Sequence, residues 1–302
     1  MDDNTIHLVY LDVQPNLSAV SRVDDGDREL YLMQKAVRHA RRILVDKGNL
    51  FLNTAPDNSD RFRAMLNQAL GTENFRGEYA LTNILHSQVW SGRPYSAYQS
   101  ILHYSKSSEF TYNRVFRPAT SEELSQRGYS KSESGILFRW ESLTSSTNNS
   151  ARRFEFKGVI PSEGSGWKYD MAQLEELDRN GLISQSNPQA IPRLKRVIDA
   201  SYQLDVTHQW TEISPQPGID ERRTYQGQKS GALMDRLIHI GSNPDDIVLD
   251  PFVGTGTTLI AAHNNRRKWL GCDDNPEAID IAIKRLYEKC GLVANRDFMC
   301  NS

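Results

Sequence analysis

The stretch Ile247-Val248-Leu249-Asp250-Pro251-Phe252-Val253-Gly254-Thr255-Gly256-Thr257-Thr258-Leu259 reads as a strand, a glycine-rich turn and the start of a helix. Glycines are needed where a strand turns sharply into a helix and a ligand must approach the backbone. The helix N-terminus then offers free N–H groups to an anion. The next apolar run, Trp269-Leu270-Gly271-Cys272, ends at Asp273-Asp274, 17 residues after Gly256. An acid at that place can accept hydrogen bonds from both ribose hydroxyls. Strand, turn, helix and acid together describe a nucleoside-cofactor site rather than a bare glycine turn. A nicotinamide or flavin site is disfavoured, because Thr258 and Leu259 stand where its motif continues to a third glycine. Only one strand–helix unit follows the loop. The other strands of the sheet must therefore come from earlier in the chain, a circularly permuted order.

Working outward, Lys229 to Ile240 reads as a helix before this strand, and Pro276 to Lys289 as the helix that closes the unit. At the other end, Ile6 to Leu11 is a short buried strand that ends at Asp12. From Glu29 to Val45 the apolar residues Leu30, Met33, Val37, Ala40 and Leu44 recur at three and four, predicting an amphipathic helix closed by Lys47-Gly48. Leu50-Phe51-Leu52 is a second buried strand, and Arg61 to Leu70 a helix stopped by Gly71. Thr82–Trp90 and Ser100–Tyr104 read as further strands. The alternation implies a parallel sheet covered by helices. Residues 105–218 differ: they are rich in Ser, Asn, Arg and aromatic residues, with little sustained periodicity beyond a short helix over Asp170–Leu182. An inserted module is expected there, between halves at 1–104 and 219–302. Its Arg114, Arg117, Arg139, Trp140, Arg152, Arg153, Lys157, Trp167, Lys168, Arg193, Lys195 and Arg196 suit phosphate contacts and base-edge readout, although interleaved acids make an ordinary solvated surface an equally good reading.

Composition sets bounds. The chain has 302 residues and a formal net charge of −2, which excludes a simple polycation but not a basic face. Cys272, Cys290 and Cys300 fit neither zinc spacing nor a disulfide framework. The scattered histidines show no metal-ligand pattern, so no metal site is expected. The acidic N-terminus has no long apolar run behind it, and no stretch approaches a membrane span; a cytoplasmic protein without a signal peptide is expected.

Asp-Pro-Phe-x-Gly-x-Gly-Thr-Thr at 250–258 resembles the cofactor motif of the permuted, beta-class amino-group DNA methyltransferases, enzymes of bacterial restriction–modification systems and related orphans. The flanks Gln228-Lys229, Arg267–Asp273 and Ala282–Leu286 resemble the same family, as do Gly48–Leu52, Leu70–Phe75 and Val89-Trp90 in the first half. The resemblance implies a Rossmann-like, circularly permuted α/β fold with an inserted target-recognition region. It implies S-adenosyl-L-methionine as cofactor, lined by Asp250, Phe252, Gly254, Gly256 and Thr257, with Asp273 on the ribose and Lys229 near the methionine end. It implies methyl transfer to an exocyclic amine of a flipped base in double-stranded DNA, adenine N6 being favoured over cytosine N4. A homodimer or a cognate restriction subunit is the implied assembly, in a bacterial or viral cytoplasm.

The sequence departs from the family in two places. The catalytic loop, ordinarily Asp/Asn/Ser-Pro-Pro-Tyr/Phe, here reads Asp12-Val13-Gln14-Pro15. Asp12 and the loop carbonyls are expected to accept the amine's hydrogens and move it towards tetrahedral geometry. The aromatic residue that stacks on the base is replaced, and Tyr10 is expected to point into the strand. The family also carries a strand with a Gly-Asp pair before the catalytic strand, and nothing ahead of Ile6 matches it. This implies an adenine pocket that is more open or completed otherwise. These departures leave an alternative open: a methyltransferase-like protein that holds cofactor or DNA without turnover. A methyltransferase acting on RNA or another amine is a third reading.

Overall fold

A computed structural model describes residues 1–12, 23–82, 98–199, 202–214 and 228–300, with the side chains of 23–29 excepted. Val13, Gln14, Pro15 and the expected strand 82–90 beyond Thr82 lie outside the described residues. The chain divides into two compact units, residues 1–115 with 205–302, and residues 116–204. The division falls inside the expected 105–218. Thr111 N and Asn113 N donate to Lys47 O and Ile240 O, and Gln209-Trp210 pairs in the large sheet, so both flanks belong to the larger unit.

The larger unit is a seven-stranded sheet. Its strands are β1 (Ile6–Asp12), β2 (Leu44–Thr54), β3 (Phe75–Leu81), β4 (Gln99–Ser105), β5 (Gln209–Trp210), β6 (Ile247–Asp250) and β7 (Lys268–Gly271). They lie in the order β5-β3-β4-β2-β1-β6-β7. β2, β1, β6 and β7 run parallel, but β4 is antiparallel to both of its neighbours, so the sheet is mixed rather than parallel throughout. β7 lies at the edge of the described sheet, with its Leu270 40% exposed.

Helices cover both faces. On one face α1 (Val23–Ile43) and α2 (Pro56–Leu70) bring Val37, Ala40, Phe62 and Leu66 against Val9, Leu11, Leu50 and Leu102. On the other, α3 (Gly231–Gly241) and α4 (Thr257–Asn264) bring Leu233, Leu237 and Ala262 against Leu8, Phe51 and Ile101. α5 (Pro276–Cys290) closes against α4, where Leu286 meets Leu259 and Val253. Alternate residues of central strands such as β1 therefore enter different cores, which is why these strands read as continuous apolar runs. No helix among the described residues is long and apolar enough to cross a membrane.

The smaller unit has its own core of Leu143, Phe156, Trp167, Leu174, Ile183 and Leu194. Leu174 lies on a helix, Met171–Arg179, started by a capping box between Asp170 and Gln173.

Candidate active site

β1 and β6 are neighbouring parallel strands, with Leu8 opposite Val248 and Val9 opposite Leu249. The helix that follows β1 in the chain covers one face of the sheet, whereas the helix after β6 covers the other. Such divergence opens a crevice at the carboxyl ends of the two strands. Each strand ends there in an aspartate, Asp12 on β1 and Asp250 on β6. The resulting cleft is lined by Tyr10, Asp12, Lys229, Asp250, Phe252 and Thr257, among others.

Asp12 is 8% exposed and both of its oxygens are held. Lys229 Nζ lies 2.7 Å from Oδ2, and Asn53 Nδ2 donates to Oδ1 at 3.0 Å. Lys229 comes from the segment that leads into α3, and Asn53 from β2, so three chain segments converge on one carboxylate. Taking both members of such a pair out of water is costly, and the carboxylate and ammonium then depend strongly on one another.

Asp250 is more deeply buried, at 2% exposed. Its Oδ1 accepts Phe252 N at 3.0 Å and its Oδ2 accepts the Thr258 hydroxyl at 2.6 Å. No lysine or arginine among the described residues forms an ion pair with it. Burial pushes its pKa up to about 7, and the nearby Asp12 and Asp273 carboxylates add to the rise, against the lowering by its two hydrogen bonds. Tyr10 also lines the cleft, close enough to the two aspartates to feel both charges. Its buried hydroxyl lies beside the Asn53 side chain. Burial and the same two carboxylates hold its pKa well above the usual phenol value, so it is a neutral donor.

The glycine turn has two distinct glycines. Gly254 has φ +51° and open space where a Cβ would stand, leaving its backbone accessible. Gly256 has φ +78°, and a Cβ there would come 2.9 Å from the Ala282 Cβ. Its need is close packing of the turn on α5. Asp273, beyond β7, accepts Gly254 N at 2.8 Å and Asn275 N at 3.0 Å. Each oxygen keeps a further lone-pair site. Arg285 of α5 holds the turn from behind, its Nη1 donating to Thr255 O at 2.6 Å, Thr255 Oγ1 at 2.9 Å and Thr257 Oγ1 at 3.0 Å.

The structure thus brings Asp12, Lys229, Asp250, Phe252, Gly254 and Thr257 to one cleft. Gly256 and Asp273 support the turn beside it. Lys229, expected near the methionine end of a cofactor, lines the cleft and is paired with Asp12. Asn53 and Arg285 were not singled out as site residues by sequence reasoning, and no local pattern marks them. Tyr10, expected to point into the strand, is indeed buried but also faces the cleft.

The family model described as DNA methylase, that of N6/N4 methyltransferases, matches residues 20–284. The chain belongs to this DNA methylase family. The match begins after Asp12 and the loop that follows it, the place where the sequence departs from the family's catalytic pattern. The type II methyltransferase M.EcaI of Enterobacter cloacae is 27% identical over 258 residues, 85% of this chain and 57% of that protein. The DNA adenine methyltransferase YhdJ of Escherichia coli K12 is 44% identical over 68 residues, 22% of this chain and 23% of that protein. The chain therefore spans little more than half of the first DNA methylase relative and under a quarter of the second. Among solved structures, TTHA0409 of Thermus thermophilus, complexed with S-adenosyl-L-methionine, superposes with a TM-score of 0.52 at 17% identity. That match covers 96% of this chain and 90% of that one, and it shows the methyltransferase α/β fold. The order of strands along the chain, with β1 far ahead of β6 but beside it in the sheet, is consistent with a permuted DNA methylase.

Proposed function

We propose that this chain transfers the methyl group of S-adenosyl-L-methionine to an exocyclic base amine in double-stranded DNA. The observation that carries the reading is the pair of strand-end carboxylates in one cleft, Asp12 clamped by Lys229 and Asn53, Asp250 buried without a cation. The residues fit the cofactor: a buried carboxylate without a cation suits an ammonium or sulfonium, and Gly254 leaves room for close approach. Asp250, Phe252, Gly254 and Thr257 would line it, Asp273 would take the ribose hydroxyls, and Gly256 would keep the turn in shape. When bound, the cofactor supplies an electrophilic methyl carbon on a positively charged sulfur.

The chain's own contribution is positioning. Lys229 and Asn53 fix the rotamer of Asp12, so that its remaining lone pairs meet the amine hydrogens of a flipped base. Accepting those hydrogens localises the nitrogen lone pair towards the methyl carbon. Asp250 balances the positive charge of the cofactor. Adenine N6 is the favoured acceptor, on the strength of the identity to the adenine methyltransferase YhdJ. The type II relative, from a bacterium, supports a restriction–modification setting; a bacterial or viral cytoplasm, and a homodimer or restriction partner, belong to the same proposal.

The test is an assay with labelled S-adenosyl-L-methionine and unmethylated genomic DNA, the digested nucleosides being identified by mass spectrometry. N6-methyladenine is the expected product. N4-methylcytosine would change the base. Cofactor binding with no methylated base would favour the second reading, a silent binding protein, which the Val13-Gln14-Pro15 loop motivates.

A further inference from the structure

The smaller unit carries a four-stranded antiparallel sheet, Ile183–Ser184, Arg193–Ile198, Leu137–Ser142 and Ser130–Lys131, in that spatial order. The register sets Phe138 opposite Val197, Trp140 opposite Lys195 and Ser142 opposite Arg193. Side chains alternate along a strand, and directly opposed residues share a face. These six therefore lie on one face. The intervening residues Leu137, Arg139 and Glu141 lie on the other, with Ile198, Arg196 and Leu194.

The two faces are treated differently. On the second, Leu194 is buried in the unit's core, and the partly exposed Arg139 and Arg196 are both neutralised by pairing with Glu141. The first is open. Trp140 is 38% exposed and Val197 43%. Phe138 and Trp140 meet edge to face with centroids 5.8 Å apart, and Lys195 Nζ lies 4.6 Å from the Phe138 ring centre. Arg193 Nη2 donates to Trp140 O at 3.0 Å. Among the described residues neither Arg193 nor Lys195 forms an ion pair with a carboxylate. An exposed Trp140 packed on a half-buried Phe138 and flanked by two cations complements a polyanion that also presents flat rings and sugars.

We propose that this open face is a DNA-contacting surface, with Arg193 and Lys195 on phosphates and Trp140 against a sugar or base. The proposal rests on the reading of the larger unit as a DNA methyltransferase and adds which surface of the smaller unit meets the nucleic acid.

The test uses the full chain and a fluorescent random-sequence duplex, with binding followed by anisotropy over a series of salt concentrations. Each phosphate contact contributes about 0.9 to the slope of log affinity against log salt, so Arg193→Glu/Lys195→Glu is expected to lower that slope by about two and weaken binding about tenfold or more near 0.1 M salt. Trp140→Ala is expected to weaken binding without changing the slope. Lys284→Glu/Lys289→Glu on α5, with the same change in charge, is the control and should shift binding far less. Thermal melting and cofactor binding establish that the variants are folded, and Arg193→Gln/Lys195→Gln replaces the reversal if the latter unfolds. Equal weakening by the two double reversals would overturn the surface while leaving the methyltransferase reading intact. A parent chain that binds no duplex even at low salt would overturn both, and methyl transfer to DNA by a parent whose Arg193/Lys195 variants bind normally would overturn the surface alone.

Discussion

Asp12 and Asp250 end neighbouring parallel strands, yet their surroundings differ in kind. Asp12 meets a lysine and an amide, both side chains brought from elsewhere in the chain. Asp250 meets a hydroxyl and a backbone N–H from its own loop, and no cation. The first carboxylate is neutralised within the protein and held in one orientation. The second stays hard to ionise until a positive charge arrives from outside. In the proposed reaction this difference would separate two jobs that one carboxylate could not do together: presenting fixed lone pairs to an amine, and balancing the charge of a cationic cofactor.

The cofactor side breaks most completely at Gly256. A valine there would combine the strained φ of +78° with a Cβ 2.9 Å from Ala282. Left-handed strain and overpacking together cost about 2–5 kcal/mol. Gly256→Val is expected to abolish measurable cofactor binding in calorimetric titration and to lower the melting temperature, while the corresponding change at the open Gly254 should cost less stability.

The Asp12 side is broken at Lys229. Lys229→Met removes the cation and leaves a buried carboxylate, an effect of about 3–5 kcal/mol. Urea denaturation should show this loss, and Asp12→Asn in the same background should restore part of it. Equal stability of Lys229→Met and the parent would mean that the ion pair holds nothing in place.

Protonation sharpens the comparison. Asp250 in the folded chain has a pKa of about 7, above its ordinary value of 3.8. Between those limits the folded state binds the extra proton, so this group's contribution to stability falls as pH rises from 4 to 7. A bound cation favours the carboxylate form, so cofactor affinity should move the opposite way and fall as pH drops below 7, by up to about tenfold per unit. Titrations from pH 8 to 5.5 should show that trend in the parent and a flat profile in Asp250→Asn. The smallest effect is expected from Arg285→Met, which removes the donor to Thr255 and Thr257 and should raise the cofactor Kd a few-fold, with a stability loss of about 1–2 kcal/mol.

Much of the fold was legible because it is local. Helix Thr257–Asn264 is where the sequence places it, following directly from the glycine turn. The boundary before β2 was not legible. Leu44 and Val45 continue the helical period of α1, but they open β2, whose pairing with β1 shifts register between Ile6 and Leu8 to accommodate the Lys47-Gly48 region. β3 escaped notice because Gly77, Arg76 and Glu78 interrupt its apolar run. The antiparallel course of β4 is a tertiary property that no pattern within Gln99–Ser105 encodes. The site divides in the same way. The residues of the turn announce themselves through glycine spacing and the acid that follows. Asn53, Lys229 and Arg285 act across distant chain segments, and neither hydrophobic period nor spacing could tie Lys229 to Asp12.

The division of labour between the two carboxylates is tested most directly by measuring Asp12→Asn and Asp250→Asn side by side, each by cofactor titration and by single-turnover methyl transfer to DNA at saturating cofactor. Asp12→Asn is expected to bind cofactor within about threefold of the parent and to lose transfer by about 10²–10³-fold, the range for removing one preorganised polar contact to the reacting group. Asp250→Asn is expected to weaken cofactor binding while keeping most of the transfer rate once saturated. Unchanged transfer in Asp12→Asn, or a binding defect in Asp12→Asn as large as that in Asp250→Asn, would contradict the assignment.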